Sequence, residues 1–298
     1  MSTDRAMVGW SWAALVTNML IIVTGAAVRL TGSGLGCDTW PHCTPGTFTP
    51  RPEQGIHSFI EFGNRLLTFV LLAVAVGALV RAMRAHRGSR LVVLAAVNLA
   101  AIVLQAVVGG ISVLTGLNPF VVALHLLLSV ANILVCVTLV WRASGRRAAE
   151  VDGLVMGIVR TTVALMMVVM WLGTAVTGSG PNAGDHGPRR TGFSIETVAR
   201  LHGISVWLTV AATIACLVLG VTRRLPGLRT WATVLLVVEI GQGAIGYSQY
   251  FAHLNPWLVI WHLVGVSVAA ATVGALWCTV RPRREPGLGP RPGERHLA

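Results

Sequence analysis

Eight stretches of the chain are each long and apolar enough to cross a lipid bilayer, at about residues 8–30, 57–80, 91–115, 119–141, 155–177, 197–221, 230–251 and 257–280. A spanning helix needs roughly 20 mostly apolar residues, because its backbone polar groups must pair internally where no water is present. The sequence therefore specifies an all-α integral membrane protein with eight transmembrane helices. Composition agrees: 54% of the 298 residues are hydrophobic, 11% are charged and the mean hydropathy is +0.71, a balance foreign to soluble domains. The first stretch is too long for a cleavable leader, and no small-residue cleavage site precedes a soluble domain.

The formal charge of +12 contains no lysine, and its arginines are unevenly placed. Arg81, Arg84, Arg87 and Arg90 fill the second connection, Arg142, Arg146, Arg147 and Arg160 flank the fourth, and Arg223, Arg224 and Arg229 lie in the sixth. Five more follow the last span, whereas the odd connections carry only Arg51, Arg189 and Arg190. The positive-inside rule then puts both termini and the even connections in the cytoplasm of a multi-pass cell-membrane protein. The basicity reports topology in membrane lipid, and a nucleic-acid partner is not expected.

On that orientation Cys37 and Cys43, in CDTWPHC, face the outer side, where oxidising conditions allow a disulfide to persist. A metal site using His42 between two thiols is the alternative. Cys136, Cys216 and Cys278 fall in spans and read as packing residues.

The second half repeats the first. A shift of 137 lays Gln105 on Gln242, Gly109 on Gly246 and LNPFVVALH, ending at His125, on LNPWLVIWH, ending at His262. A shift of 146 lays TGSG at 31–34 on TGSG at 177–180, each just beyond a span. A tandem pair of four-helix bundles is expected, related by a pseudo-twofold axis along the membrane normal. The expected divisions are 1–141, a linker at 142–156, 157–280, and a Pro-, Gly- and Arg-rich tail at 281–298 that reads as disordered.

Histidines matched by a repeat are candidates for metal ligation. His125 and His262 occupy equivalent places, and His202 joins His262 near the outer ends of its bundle. Two imidazoles on opposite faces of an iron porphyrin would fill its axial positions, and the apolar macrocycle suits a bundle core. The plainer reading is a hydrogen-bonding residue between helices, but ionisable groups at membrane depth are costly and usually functional. His86, His186, His253 and His296 fall in loops or the tail and read as surface residues.

The first half departs from symmetry, because His202 shifted back by 138 lands on Asn64. His57, Glu61, Asn64 and Arg65 instead form a polar stripe on an apolar helix. Glu61 is either a salt-bridge partner of Arg65 or a carboxylate that moves protons or orients water at a reacting centre. Glu239 lies inside the seventh span, with Ile102 as its repeat partner. Arg29, Arg65 and Arg200, near the outer ends of spans, are candidates for pairing with porphyrin propionates or for snorkelling to the interface. The glycines of GQGAIG (241–246) and the pair 109–110 would allow close helix or porphyrin approach.

The eight spans, GAAVRLTGSGLGC after the first helix, the Cys37 and Cys43 pair, the Glu61 to Arg65 pattern and the histidines of spans four, six and eight together resemble the heme A synthase family, of the bacterial, actinobacterial type. The resemblance implies oxidation of a ring methyl of heme O to the formyl group of heme A for cytochrome oxidase. It implies heme b held by His202 and His262 in the second half, and substrate heme with His125 as a ligand in the first. Glu61 and the outer cysteines correspond to the family's catalytic acid and outer pair, and His57 becomes a ligand or catalytic neighbour where Asn64 replaces the expected histidine. A second outer cysteine pair is missing from GSGPNAGDHGPRR. Heme O synthase and oxidase assembly factors are the implied partners, with room for a homo-oligomer. The competing reading is a di-heme b-type electron carrier with no substrate oxidation of its own.

Overall fold

The computed structural model describes residues 4–180, 190–252 and 255–283. Eight helices long and apolar enough to cross a membrane dominate the described residues: α1 (Arg5–Leu30), α2 (Gly55–Ala85), α3 (Arg90–Leu114), α4 (Pro119–Ala143), α5 (Gly153–Ser179), α6 (Ile195–Thr222), α7 (Pro226–Phe251) and α8 (Pro256–Cys278). Each coincides with one expected span. The largest boundary difference is at α2, which runs to Ala85 through Arg81 and Arg84. A helix continues where its basic residues meet water, so hydropathy alone underestimates its length.

Chain chemistry sets the helix starts. Asn118 and Asn255 each cap a helix, accepting from the N–H of Phe120 and Trp257 at 3.0 Å, and Pro119 and Pro256 follow at the first helical position. Proline there loses no useful donor and presets the helical φ. The Asn-Pro pair thus fixes where each helix begins, and the histidine seven residues on falls about 10 Å along the axis in both halves.

The first TGSG segment ends α1 in a Schellman turn: Ser33 N–H donates to Val28 at 2.8 Å, Gly32 N–H donates to Arg29 at 3.2 Å, and Gly32 has φ of 65°. The second copy does not lie beyond its helix, as the repeat suggests, because α5 remains helical through Ser179. The returning segment docks there instead, with Thr191 N–H donating to Gly178 O at 3.2 Å and the Ser179 and Thr191 hydroxyls bonded.

In the first half α1 packs on α2, α2 on α3, α3 on α4, and α4 back on α1; α5 to α8 close in the same way. Between halves α4 meets α8, α1 meets α8 and α4 meets α5. Exchanging α1–α4 for α5–α8 leaves this set of principal contacts unchanged. The seam is apolar, with Val130, Ile133 and Val137 of α4 and Ala269, Ala270 and Val273 of α8 in one core cluster. Small residues let α8 approach closely; a Cβ on Gly274 would lie 3.0 Å from Leu134.

The first bundle also holds a polar knot. Asn132 donates to Asn18 Oδ1 at 2.9 Å, and the Cys136 thiol donates to Asn98 Oδ1 at 3.2 Å. Cys216 and Cys278 likewise lie against the hydroxyls of Thr162 and Thr138. The span cysteines are therefore hydrogen-bonding residues rather than apolar filler.

The even connections gather on one face. Asp4 caps α1 and bonds Arg81 and His86 at the end of α2, with Arg81 Nη2 at 2.8 Å and His86 Nε2 at 3.0 Å. His86 is thus part of a pin rather than a free surface residue; His186, His253 and His296 lie outside the described residues. The expected linker carries β1 (Ala149–Val151), which pairs in parallel with β2 (Val280–Pro282). The tail expected to be disordered from Arg281 therefore begins as a strand, tied further by Arg283 N–H to Val151 O at 3.0 Å and Arg281 to Glu150 at 2.8 Å. Residues 284–298 lie outside the described residues.

Candidate functional site

On the opposite face, the segment after α1 folds over the mouth of the first bundle. Cys37 and Cys43 form a disulfide and both are fully buried; among the described residues no cluster of three metal-binding side chains exists, so the metal alternative with His42 falls away. The loop is fastened from below. Glu61 is 5% exposed and its Oε2 accepts from Cys37 N–H at 2.7 Å. Arg65 donates through Nε and Nη2 to Glu61 Oε1, through Nη1 to Thr39 O at 3.0 Å and His42 O at 3.2 Å, and through Nη2 to Cys37 O at 3.5 Å. These contacts engage all five guanidinium N–H groups. Arg65 therefore serves the loop, and the reading of it as a propionate partner is corrected on that count.

The loop also reaches α3. The Trp40 ring lies over Gly110, within 2.6 Å of the place a Cβ would take at its Cε2. Gly36 sits so close to the start of α2 that a Cβ would fall upon the His57 carbonyl. Neighbouring Gly109 faces His125, whose Cε1 is 3.3 Å from the corresponding Cβ position. One glycine of the pair thus accommodates the loop and the other the histidine.

The polar stripe of α2 turns toward α1 and its following segment. His57 Nδ1 bonds Ser33 Oγ at 2.9 Å, Glu61 takes the Cys37 amide, and Asn64 Oδ1 accepts from Thr24 Oγ1 at 2.8 Å. The side chain where symmetry asks for histidine is therefore a helix-to-helix hydrogen-bond partner. His57 is exposed and beside the TGSG turn.

His125 is matched with Gln105 of α3. The glutamine amide lies against Ser129 and His125, with one of its polar atoms 3.0 Å from His125 Nδ1: a nitrogen there places the ring proton on Nε2, whereas an oxygen there accepts from Nδ1–H and leaves Nε2 free. Sequence comparison aligned Gln105 with Gln242 but did not reveal this contact, whose signal is the repeat of both glutamine and histidine at one shift.

In the second half, His202 Nδ1 lies 3.1 Å from Val169 O of α5. Bonding to a carbonyl requires the proton on Nδ1 and leaves the Nε2 lone pair available to a metal. His202 and His262 are within electrostatic reach of one another. Gly173 of α5 and Gly246 of α7 lie beside the two rings, whose Cε1 atoms are 3.4 Å and 3.9 Å from the Cβ positions. His262 Nδ1 is buried without a hydrogen-bond partner among the described residues. The donor set and the fixed tautomer of His202 are of the kind that would hold a porphyrin iron through two imidazoles.

Arg29 joins the halves, donating from Nη2 to Thr177 O in the last turn of α5 at 3.3 Å. Arg200 is exposed near the start of α6. Of the other glycines singled out, Gly241 and Gly243 face open space.

These features define a multi-helix membrane protein built around histidines in apolar bundles. The family model described as cytochrome oxidase assembly protein, COX15-CtaA, matches residues 8–183, more than half of the chain, and the chain belongs to that family. The match takes in the first bundle and α5; His202 and His262 lie beyond it. The chain is similar to a heme A synthase of Bacillus licheniformis, 28% identical over 155 residues, covering 49% of each chain. It is similar to one of Bacillus pumilus, 34% identical over 134 residues and 42% of each chain. A protoheme IX farnesyltransferase of Thermus thermophilus is 36% identical over 80 residues, 26% of this chain and 13% of that protein. The matches thus span about half or less of the curated relatives' length.

Proposed function

We propose that the chain is a heme A synthase that oxidises a ring methyl of heme O to the hydrated formyl group of heme A by two successive hydroxylations, each adding the oxygen of a water molecule and releasing two protons to the solvent and two electrons to an external acceptor. The observation that carries this reading is the inequality of two otherwise matched sites. The second half has an imidazole pair, His202 and His262, suited to a resident heme b. The first half has His125 alone under a fastened loop, with Asn64 bonded to Thr24 where a second imidazole would stand. A carrier of two like hemes calls for the same pair twice, so the asymmetry favours the enzyme over the di-heme carrier.

Residues 1–141 form the substrate half, 157–280 the cofactor half, and 142–156 the cytoplasmic join. When bound, heme b supplies one-electron transfer. His202 and His262 hold it, with Val169 fixing the His202 tautomer. His125 offers Nε2 of its imidazole to the substrate when its proton sits on Nδ1 and the Gln105 amide oxygen accepts it, with Gly109 beside the ring. The Cys37–Cys43 loop excludes water at the outer mouth, and Glu61 anchors that loop while keeping a carboxylate beside it. Arg29 and Arg200 are the remaining candidates for the propionates, and His57 for a catalytic neighbour. Arginine asymmetry supports termini in the cytoplasm of a cell-membrane protein. Similarity to heme A synthases and a protoheme IX farnesyltransferase supports a heme-class substrate, with heme O synthase as its source and oxidase assembly factors as recipients.

Extraction of bound heme from the purified full chain and its variants tests this reading. His202→Ala and His262→Ala should each lose heme b, while His125→Ala should keep heme b and lose retention of heme O. Retention of heme b in both second-half variants would remove those ligands from the account. His57→Ala is expected to lower heme O turnover; unchanged turnover takes His57 out of the reaction.

A further inference from the structure

Glu239 stands at mid-height of α7 and is 7% exposed. Its Oε1 accepts from Thr213 Oγ1 of α6 at 2.8 Å, and its Oε2 is buried with no hydrogen-bond partner among the described residues. No arginine among the described ion pairs reaches it. One turn outward on α7, Gln242 Oε1 is also buried without a partner, and its amide fills the space that a side chain on Gly265 would need. Gly265 lies one turn inward of His262, whose Nδ1 is a third partnerless buried atom. Residues three apart on a helix are neighbours. The three orphaned atoms therefore mark a polar file from His262 inward to the acid, and buried polar atoms left without protein partners are where internal water binds.

The first half has no counterpart. Ile102 replaces Glu239, and Gln105 is satisfied by Ser129 and His125. The acid belongs to the half that the preceding section reads as the electron relay.

We propose that Glu239 is a proton-binding site coupled, through Gln242 and internal water, to the charge of the redox centre held by His202 and His262. The inference rests on the heme reading of that half. When the centre gains one electron, one proton from the aqueous phase forms a bond to Glu239 Oε2. When the electron leaves, that O–H bond breaks and the proton returns to water. A ferric porphyrin carries one net positive charge that can balance a carboxylate, whereas a ferrous porphyrin carries none. The ion would then be left uncompensated in apolar surroundings. Among the described residues no arginine pairs with Glu239. From α6 Cys216 lies within electrostatic reach and His202 further outward; on α8 His262 lies outward, while Cys278 near the inner end turns to Thr138 of α4. On α7 itself Arg229 and Tyr247 lie toward the two ends.

The test is a redox titration of heme b in the purified full chain, with dithionite and ferricyanide, at a series of pH values. The second-half centre is identified as the component lost in His202→Ala. The wild-type midpoint should fall by about 59 mV for each tenfold drop in proton concentration, the one-electron, one-proton relation, and Glu239→Gln should be flat over the same range. An infrared redox-difference spectrum of the wild type provides a second readout that needs no variant at the acid: a carboxylic C=O band should appear on reduction and shift in D2O. A pH-dependent midpoint that persists in Glu239→Gln, or a difference spectrum without a carboxyl band, overturns the proposal while leaving the heme site standing. A preparation that binds no heme b overturns both.

Discussion

Glu61 and Arg65 hold the outer loop as a unit, so their variants should differ in kind. Arg65→Ala leaves the Glu61 carboxylate, which is nearly buried, without its cation and should cost about 3 kcal/mol. Freed of three carbonyl contacts, the loop should admit reductant, and Cys37 and Cys43 should be alkylated after mild thiol treatment that leaves the wild type unlabelled. An unchanged labelling rate would show that the loop does not depend on Arg65. Asp4 offers a separate test on the opposite face. The hydrogen bond from Arg81 holds its carboxyl well below the usual carboxylate range. A lowered pKa contributes stability above the ordinary aspartate value of about 3.9, and that contribution is lost as pH falls through the lower folded value. In amide exchange at the first turn of α1, the protection owed to the Asp4–Arg81 contact should therefore persist down to pH 5 and be lost only in stronger acid. Asp4→Asn should weaken it throughout. At this scale the sequence offers candidate residues but not their partners. That Asn64 answers to Thr24, and Arg65 to three loop carbonyls, depends on how a segment with no periodicity folds back over α2.

Among the elements, the spans were legible because lipid leaves few alternatives to a helix, and Asn-Pro marks two starts by chemistry that operates within a few residues. Asn118→Ala or Asn255→Ala should each cost about 1 kcal/mol through loss of the cap. Each should also broaden the absorption of heme bound in its own half while sparing the other, because the cap sets the depth of a single histidine. Equal effects in both halves would contradict that local role. Gly36→Ala should disrupt the disulfide loop more than Gly63→Ala, since its Cβ would meet the His57 backbone while Gly63 faces open space without a left-handed backbone. Protease sensitivity between residues 37 and 55 would report the difference. What the sequence concealed at this scale was continuation past the apolar core: α2 running on through arginines, α5 passing through its TGSG, and a strand pair joining residues 149–151 to 280–282. Such short pairings depend on both ends being delivered to one face, which local composition cannot state.

For the molecule as a whole, repetition at a shift of 137 leads one to expect two four-helix bundles, and the principal helix contacts are unchanged when α1–α4 are exchanged for α5–α8. The account depends on how the bundles differ: a matched histidine pair in one, and a single histidine beneath a clamped loop in the other. On the proposed function, the departures from the repeat at Asn64 against His202 and Ile102 against Glu239 are where the two halves would take separate tasks. The most direct measurement supplies heme O to membranes containing the wild-type chain or Glu61→Gln and analyses the extracted hemes. Heme A should accumulate with the wild type and fall toward background with Glu61→Gln, while heme b remains bound in both. Recovery of heme O unchanged from the wild type, beside a full complement of heme b, would contradict the synthase and leave an electron carrier in its place.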